Sequence, residues 1–234
     1  MDITDKRFNL NQVKSESWGG FIFINLDKKP SSFKSYIKNI NAQFIRYPLH
    51  ELVSSKSYQY EVSANWKVIL ENYNECYHCA GVHPELVSIV PAFKENGANG
   101  LDWEEGIPHR KGANTFTFTG TTNRDPFPGL NQLEKDNHFG QALYPNLMMS
   151  LSMDHVAAFI LRPISPTKTM IDCRILFHPN EVAKSDFDPN DASEFWHLVN
   201  KQDWNICERV QKGMQSKAFK FGYYAPMELS LIHI

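Results

Sequence analysis

The sequence predicts an α+β fold, an antiparallel sheet crossed by one long C-terminal helix, on three observations. Three β-rich runs follow one another with only short turns between them, a single long amphipathic pattern comes after them, and 234 residues suffice for a sizeable core. The runs are Asn146–Met153, His155–Pro163 and Met170–Phe177, with turn signals at Asp154 and at Ser165–Lys168, which reads as a meander. The helical pattern opens on Asp191-Ala-Ser-Glu194, a capping box, and runs to Gly213, a good stop. Its apolar stripe is Phe195, Val199, Ile206 and Val210, and Asp203 falls within it, so a carboxylate faces the interior. There it costs on the order of several kcal/mol unless it is paired, hydrogen-bonded or bound to a metal.

The upstream elements follow from the same patterns. Trp18–Leu26 is a β-rich run, followed by a turn signal at Lys28–Ser32 and a helix through Phe33–Phe44. Ser57–Val62 alternates with period two and suits a half-buried strand. Asn65 caps a helix that begins at Trp66, with apolar residues at Trp66, Ile69, Leu70, Tyr73 and Tyr77. Between Pro91 and Gln141 the periodicity fades, apart from a short alternating run at Thr115–Thr119. A stretch of this kind forms a lid or pocket wall, or else a surface excursion.

Composition narrows the function classes. Hydrophobic residues at 42% and charged residues at 21% exclude global disorder. Twenty-four Lys and Arg against 26 Asp and Glu leave no basic excess for a nucleic-acid partner. No apolar run reaches the roughly 18 residues of a membrane span, and Met1–Leu10 is too polar for a signal peptide. Four cysteines do not make a disulfide framework in a chain of this length, which points to a reducing cytoplasm.

The densest chemistry lies in Glu75-Cys-Tyr-His78-Cys-Ala-Gly-Val-His83. Helical spacing places Glu71, Glu75 and His78 on one face of the Trp66 helix. His83 follows Gly81 and precedes Pro84, where the helix breaks, and the break lets both imidazoles turn toward one ion. A solvated helix face with two incidental histidines fits the same spacing. With Asp203, the two histidines make up the 2-His-1-carboxylate set that holds Fe(II) and leaves positions open. Glu75 then stands one helical turn from His78, able to accept a hydrogen bond or relay a proton. Cys76 and Cys79 form a C-x-x-C whose alternative reading is a zinc site with His83, although Cys173 and Cys207 supply no second knuckle. No H-E-x-x-H, phosphate loop or G-x-S-x-G elbow occurs. His50, His109, His138, His155, His178 and His197 have no partner at a diagnostic spacing, and a pocket role stays open for His109, His138 and His155.

The stretch from Asn65-Trp-Lys through Glu71-Asn72 to Glu75-Cys-Tyr-His78-Cys-Ala-Gly-Val-His83 resembles the mononuclear-iron motif of Rieske non-haem iron oxygenases. That motif belongs to the catalytic domain of the ring-hydroxylating oxygenase α subunit, written N-W-K, then E-N, then D/E-x-x-H-x4-H. Gln202–Gly213 resembles the family's C-terminal helix, and the resemblance covers most of Trp18–Glu228. It implies a helix-grip (START/SRPBCC-like) domain with His78, His83 and Asp203 as ligands to mononuclear Fe(II). It also implies Glu75 as the carboxylate that couples to a neighbouring subunit's Rieske centre, and Asn72 beside the iron. The wording of Glu71–Leu86 is most similar to members acting on glycine betaine, choline or carnitine, with aromatic-ring hydroxylation as the other branch. The implied reaction is O2-dependent hydroxylation of a small-molecule substrate, including N-demethylation through an unstable carbinolamine. The implied partners are an NAD(P)H-dependent reductase or ferredoxin and two further copies in a homotrimer.

One departure accompanies the resemblance: the two-Cys, two-His motifs that hold the [2Fe-2S] Rieske cluster have no counterpart in these 234 residues. The expected organisation is a lead-in over 1–56, following an absent Rieske domain, and a mononuclear-iron domain over 57–228. Leu229–Ile234 matches the translation of a sequencing-library adapter and is set aside. The non-iron alternatives are a helix-grip ligand-binding module and a zinc-stabilised structural domain. An aromatic cage for a trimethylammonium head would draw on Tyr73, Tyr77, Trp103, Phe116 or Phe118.

Overall fold

The computed structural model describes residues 10–223, so the tail at 229–234 lies outside the described residues. Strands β1 (Lys14–Trp18) and β2 (Phe21–Asn25) form an antiparallel hairpin. The single run expected at Trp18–Leu26 is cut by Gly19 and Gly20, whose φ of +59° and +84° only glycine adopts cheaply. The helix expected through Phe33–Phe44 is two short ones, α1 (Phe33–Tyr36) and α2 (Lys38–Gln43), which meet at Ile37.

β3 (Val53–Val62) leads into α3 (Trp66–Asn74), α4 (Cys79–Val82) and α5 (Pro84–Ile89). Next come β4 (Ile107–Pro108), α6 (Gln132–Asp136), β5 (Asn137–Leu143), β6 (Leu147–Leu151), β7 (His155–Ser165) and β8 (Lys168–Phe177). Among the described residues, the last helices are α7 (Pro179–Val182) and α8 (Asn190–Met214). β6 through β8 form the expected meander; β5, which was not expected, extends it beyond β6, and β3 pairs with β8 to give the antiparallel order β3-β8-β7-β6-β5-β4.

The sheet is buried on both faces, which explains why β7 reads as a nearly continuous apolar run. Ala157, Phe159 and Leu161 join the core under α8, while Val156 and Ala158 join a second core on the opposite face. That second core takes in Phe44, Tyr47 and Leu49, with Trp18, Phe21 and Phe23 packed against it. Residues 10–52 therefore cover the back of the sheet. α8 lies across the front and buries Phe195, Trp196 and Val199, worth roughly 1.5–3 kcal/mol for each side chain.

Three local expectations fail for identifiable reasons. The segment 91–141 is not irregular throughout: it holds α6, capped by Asn131 and Glu134, and then β5. Thr115–Thr119 is not a strand, because Thr115, Phe116 and Thr117 turn into the core within a bend. At the start of α8, Pro189 is the N-cap without a side-chain bond, and Asp191 instead binds Arg124 at 2.7 and 3.0 Å. The buried stripe of α8 correspondingly runs through Phe195, Trp196, Val199, Trp204 and Cys207, while Val210 is exposed.

Gly106 shows how closely the second core is packed. Its φ is +79°, and a Cβ there would lie 2.6 Å from the Phe139 ring. Gly106→Ala is expected to cost about 2–3 kcal/mol by urea unfolding, backbone strain and overpacking acting together. A loss under about 0.5 kcal/mol would show that the ring moves aside freely.

Candidate functional site

The cluster forms because α3 stops early. Asn65 caps it by accepting the Lys67 N–H at 2.9 Å, and at the other end Asn74 turns its amide back onto the Leu70 carbonyl at 2.8 Å. Glu75 is extended (φ −125°, ψ 142°), so Glu71, Glu75 and His78 do not share one continuous helix as the spacing suggested. His78 instead precedes α4, and Pro84 pushes His83 out of helical conformation at φ −121°, ψ 69°. The contact expected from one helical turn arises by another route. The Glu75 carboxylate folds back to accept His78 Nδ1–H at 2.6 Å and the His78 backbone N–H at 3.3 Å.

Asp203 descends from α8 to meet both imidazoles. Its Oδ1 lies 3.2 Å from His78 Nε2 and 2.9 Å from His83 Nε2, and the two Nε2 atoms are 3.2 Å apart. Asn72 on α3 donates to the same Oδ1 at 2.7 Å. His83 Nδ1 faces Gln202 Oε1 at 2.8 Å, and the Gln202 amide donates to Glu85 at 2.9 Å, which fixes its orientation. Each ring thus holds its Nδ1–H against an oxygen and turns Nε2 toward Asp203, so that losing the Nε2 proton frees that nitrogen for a metal. This is the arrangement that prepares imidazole for metal ligation.

The electrostatics agree. Burial pulls the His78 pKa down, but the Asp203 and Glu75 carboxylates outweigh it and push it up to about 9. Burial raises the Asp203 pKa, and hydrogen bonds and charge from His78 and His83 more than reverse this, to about 2. The cluster carries anionic charge that a cation can replace protons to neutralise.

The spacing fits one metal. Bonds of about 2.1 Å at right angles place neighbouring donors about 3.0 Å apart, whereas tetrahedral angles require about 3.4 Å. The observed 2.9, 3.2 and 3.2 Å span the range between these two values, so one ion can reach all three donors. Cys79 Sγ is 4.0 Å from His78 Nε2, and His78, Cys79 and His83 also form a metal-sized donor group. That sulfur, however, is bonded to Cys76. Two of the four cysteines are thus paired in one local disulfide, and Cys173 and Cys207 are free and buried.

Above the triad lies a cavity of about 280 Å³ between α3, α8 and the sheet. From the cage expected at Tyr73, Tyr77, Trp103, Phe116 and Phe118, only Tyr73 and Trp103 reach it. Tyr77 and Phe118 are exposed and Phe116 is wholly buried in the core. Phe93, stacked on Trp103 with centroids 6.0 Å apart, and Trp196 and Phe159 complete the apolar wall. Gly140 allows this approach, since the Trp103 ring comes within 3.2 Å of where its Cβ would be. His138 also lines the cavity, and burial holds its pKa well below the usual imidazole range. Trp196 was legible in principle, two helical turns before Asp203 on the same face; Phe93 carried no signal.

A sheet grips one long helix here, and two imidazoles and a carboxylate at the floor of an aromatic cavity supply a donor set for a single metal ion. The chain belongs to the ring hydroxylating α subunit (catalytic domain) family, whose model matches residues 49–234. It is 27% identical to a glycine betaine monooxygenase oxygenase subunit of Pseudomonas aeruginosa, over 96% of this chain and 59% of that one. It is 35% identical to a carnitine monooxygenase oxygenase subunit of Escherichia coli, over 89% and 53% respectively. Among solved structures, a quaternary ammonium Rieske monooxygenase superposes with a TM-score of 0.63 at 21% identity, covering 89% of this chain and 54% of that one. A naphthalene 1,2-dioxygenase gives 0.63 at 17%, covering 92% and 56%. Both share the fold. The chain spans about half the length of the curated relatives it matches.

Proposed function

We propose that this chain is the iron-bearing catalytic part of an O2-dependent oxygenase acting on a quaternary ammonium compound. The observation that carries the reading is the convergence of His78 Nε2, His83 Nε2 and Asp203 Oδ1 within 3.2 Å at the floor of the cavity. Fe(II) held there supplies the activation of O2 for insertion into a substrate C–H bond. Glu75 and Gln202 hold the two imidazoles in their ligating tautomers, and Asn72 orients the Asp203 carboxylate. Glu75, which holds His78, is the residue through which a Rieske [2Fe-2S] centre of a neighbouring subunit would couple to this site.

The wall around the substrate supports an organic cation. Its described lining residues include no lysine or arginine, two carboxylates lie at its floor, and Tyr73, Phe93, Trp103 and Trp196 present aromatic surface. Aromatic faces attract a trimethylammonium group, and described walls without lysine or arginine offer an anion no partner.

The test loads the chain with Fe(II) anaerobically, adds nitric oxide and titrates choline, carnitine, glycine betaine and naphthalene while the ferrous–nitrosyl EPR signal is followed. A near-stoichiometric signal perturbed by a quaternary ammonium compound is the expected result. Perturbation by naphthalene alone would move the substrate to the aromatic branch. No signal from a folded chain would overturn the iron reading.

A further inference from the structure

We propose that the Cys76–Cys79 disulfide is a redox latch on the metal site, excluding a sulfur donor when closed and, when opened, making Cys79 a ligand that turns the site toward zinc. This rests on the metal site proposed above and concerns which metal that site accepts.

The observation is one of place. The Cys-x-x-Cys ring encloses only Tyr77 and His78, so the disulfide brackets the backbone of one triad histidine. Cys79 N–H donates to the Cys76 carbonyl at 3.0 Å, tightening the same turn. Cys79 is buried against the triad, with Sγ 4.0 Å from His78 Nε2 and within 4.8 Å of the donor atoms of His78 and His83. A tetrahedral zinc site with bonds of about 2.3 Å to sulfur and 2.05 Å to nitrogen places those atoms about 3.6 Å apart. The His78 nitrogen is thus within a few tenths of an ångström of that spacing, and the His83 nitrogen needs a movement of about 1 Å at most. Cys76 is only partly buried and lines the cavity, beside the exposed Tyr77, so a small dithiol can reach it.

The step balances. A dithiol thiolate attacks the Cys76 sulfur and the S–S bond breaks; the dithiol's second sulfur then resolves the mixed disulfide. Cys76 and Cys79 are reduced by two electrons and take up two protons, and the dithiol leaves as its own disulfide. When zinc binds, the Cys79 proton passes to solvent and the thiolate joins His78 and His83 as a donor. Closed, the site offers nitrogen and oxygen donors, which suit ferrous iron; opened, it offers a soft sulfur as well, which suits zinc. The relation between the disulfide and the histidines also accommodates the zinc reading of the C-x-x-C motif as a second state of the same centre.

The test compares the whole chain air-oxidised and phosphine-reduced, the phosphine then removed, with Co(II) alone as the probe. The expected result is intense sulfur-to-cobalt charge-transfer absorption in the reduced chain and none in the oxidised one. Zn(II) affinity should rise on reduction by about 100-fold. Cys76→Ser should show the absorption without any reductant, and Cys79→Ser in neither state, with circular dichroism confirming that both variants fold. Non-reducing peptide mapping that finds Cys76 and Cys79 unpaired after oxidation would overturn the latch. So would identical cobalt spectra in the two states. If Fe(II) nevertheless binds in both, the oxygenase reading survives that failure. If Fe(II) binds in neither while the reduced chain alone gives the sulfur band, the sulfur donor stands and the oxygenase reading falls.

Discussion

Asp203→Ala is expected to lower Fe(II) affinity by more than about 100-fold, because it removes one of three donors. Asn72→Ala and Gln202→Ala should cost less, about tenfold each, since they orient Asp203 and His83 without joining the donor set. This ranking separates a metal site from a buried ion pair, because a pair made only for stability would give no Fe(II) binding to lose. Anaerobic Fe(II) titration with the nitrosyl EPR signal reads affinity directly. Asp203→Asn serves as the second variant: it keeps the shape and an oxygen acceptor for Asn72 but loses the charge, and it should also bind weakly. Full Fe(II) binding by a folded Asp203→Ala chain would remove the triad as the centre.

The parts of this fold that repeat were the parts the residues announced. Strands β6 to β8 alternate or run apolar between short turns, and α8 carries a long stripe, so the sheet and its crossing helix follow from local pattern. The site was legible for a different reason: Glu75, His78 and His83 are close in sequence, and Asp203 sits where an apolar residue belongs. What was not legible depends on contacts between distant residues. α3 ends at Asn74 because a side chain takes a helix carbonyl, so Glu75 reaches His78 from an extended backbone. Asp191 looks like a cap from its neighbours alone, yet Arg124, 67 residues earlier, takes its carboxylate. Phe116 was a plausible wall residue by type, but stacking on Phe195 at 5.7 Å claims it for the core.

Asp154→Asn is expected to destabilise the chain by about 3–5 kcal/mol, the largest stability effect among these predictions. Asp154 is fully buried; it accepts Arg124 Nε at 2.8 Å and His155 Nδ1 at 3.0 Å, and also the Thr115 hydroxyl. Trp196 Nε1 can only donate, and it donates to His155 Nε2 at 2.9 Å, so His155 carries its proton on Nδ1. An asparagine amide cannot serve all three donors, and Arg124 would keep Asp191 and the Asp188 carbonyl but lose its buried partner. Burial opposes ionisation of Asp154, yet His155, Arg124 and Thr115 hold its pKa well below the ordinary carboxylate range. A depressed folded-state pKa gives stability that is present above the unfolded value of about 3.9 and lost as pH falls toward the folded one. Urea unfolding of the parent chain should therefore weaken steadily below about pH 4, and Asp154→Asn should flatten that acid limb while lowering stability at neutral pH. A variant within about 1 kcal/mol of the parent at neutral pH, with the same acid limb, would show that the network relaxes without it. The network also bears on the site, because Arg124 ties the 115–124 bend and the β6–β7 turn to the first turn of α8. α8 carries Trp196 to the cavity wall and Asp203 to the two imidazoles. Fe(II) affinity should consequently fall in Asp154→Asn by less than in Asp203→Ala, since the anchor of the helix is loosened while every donor remains.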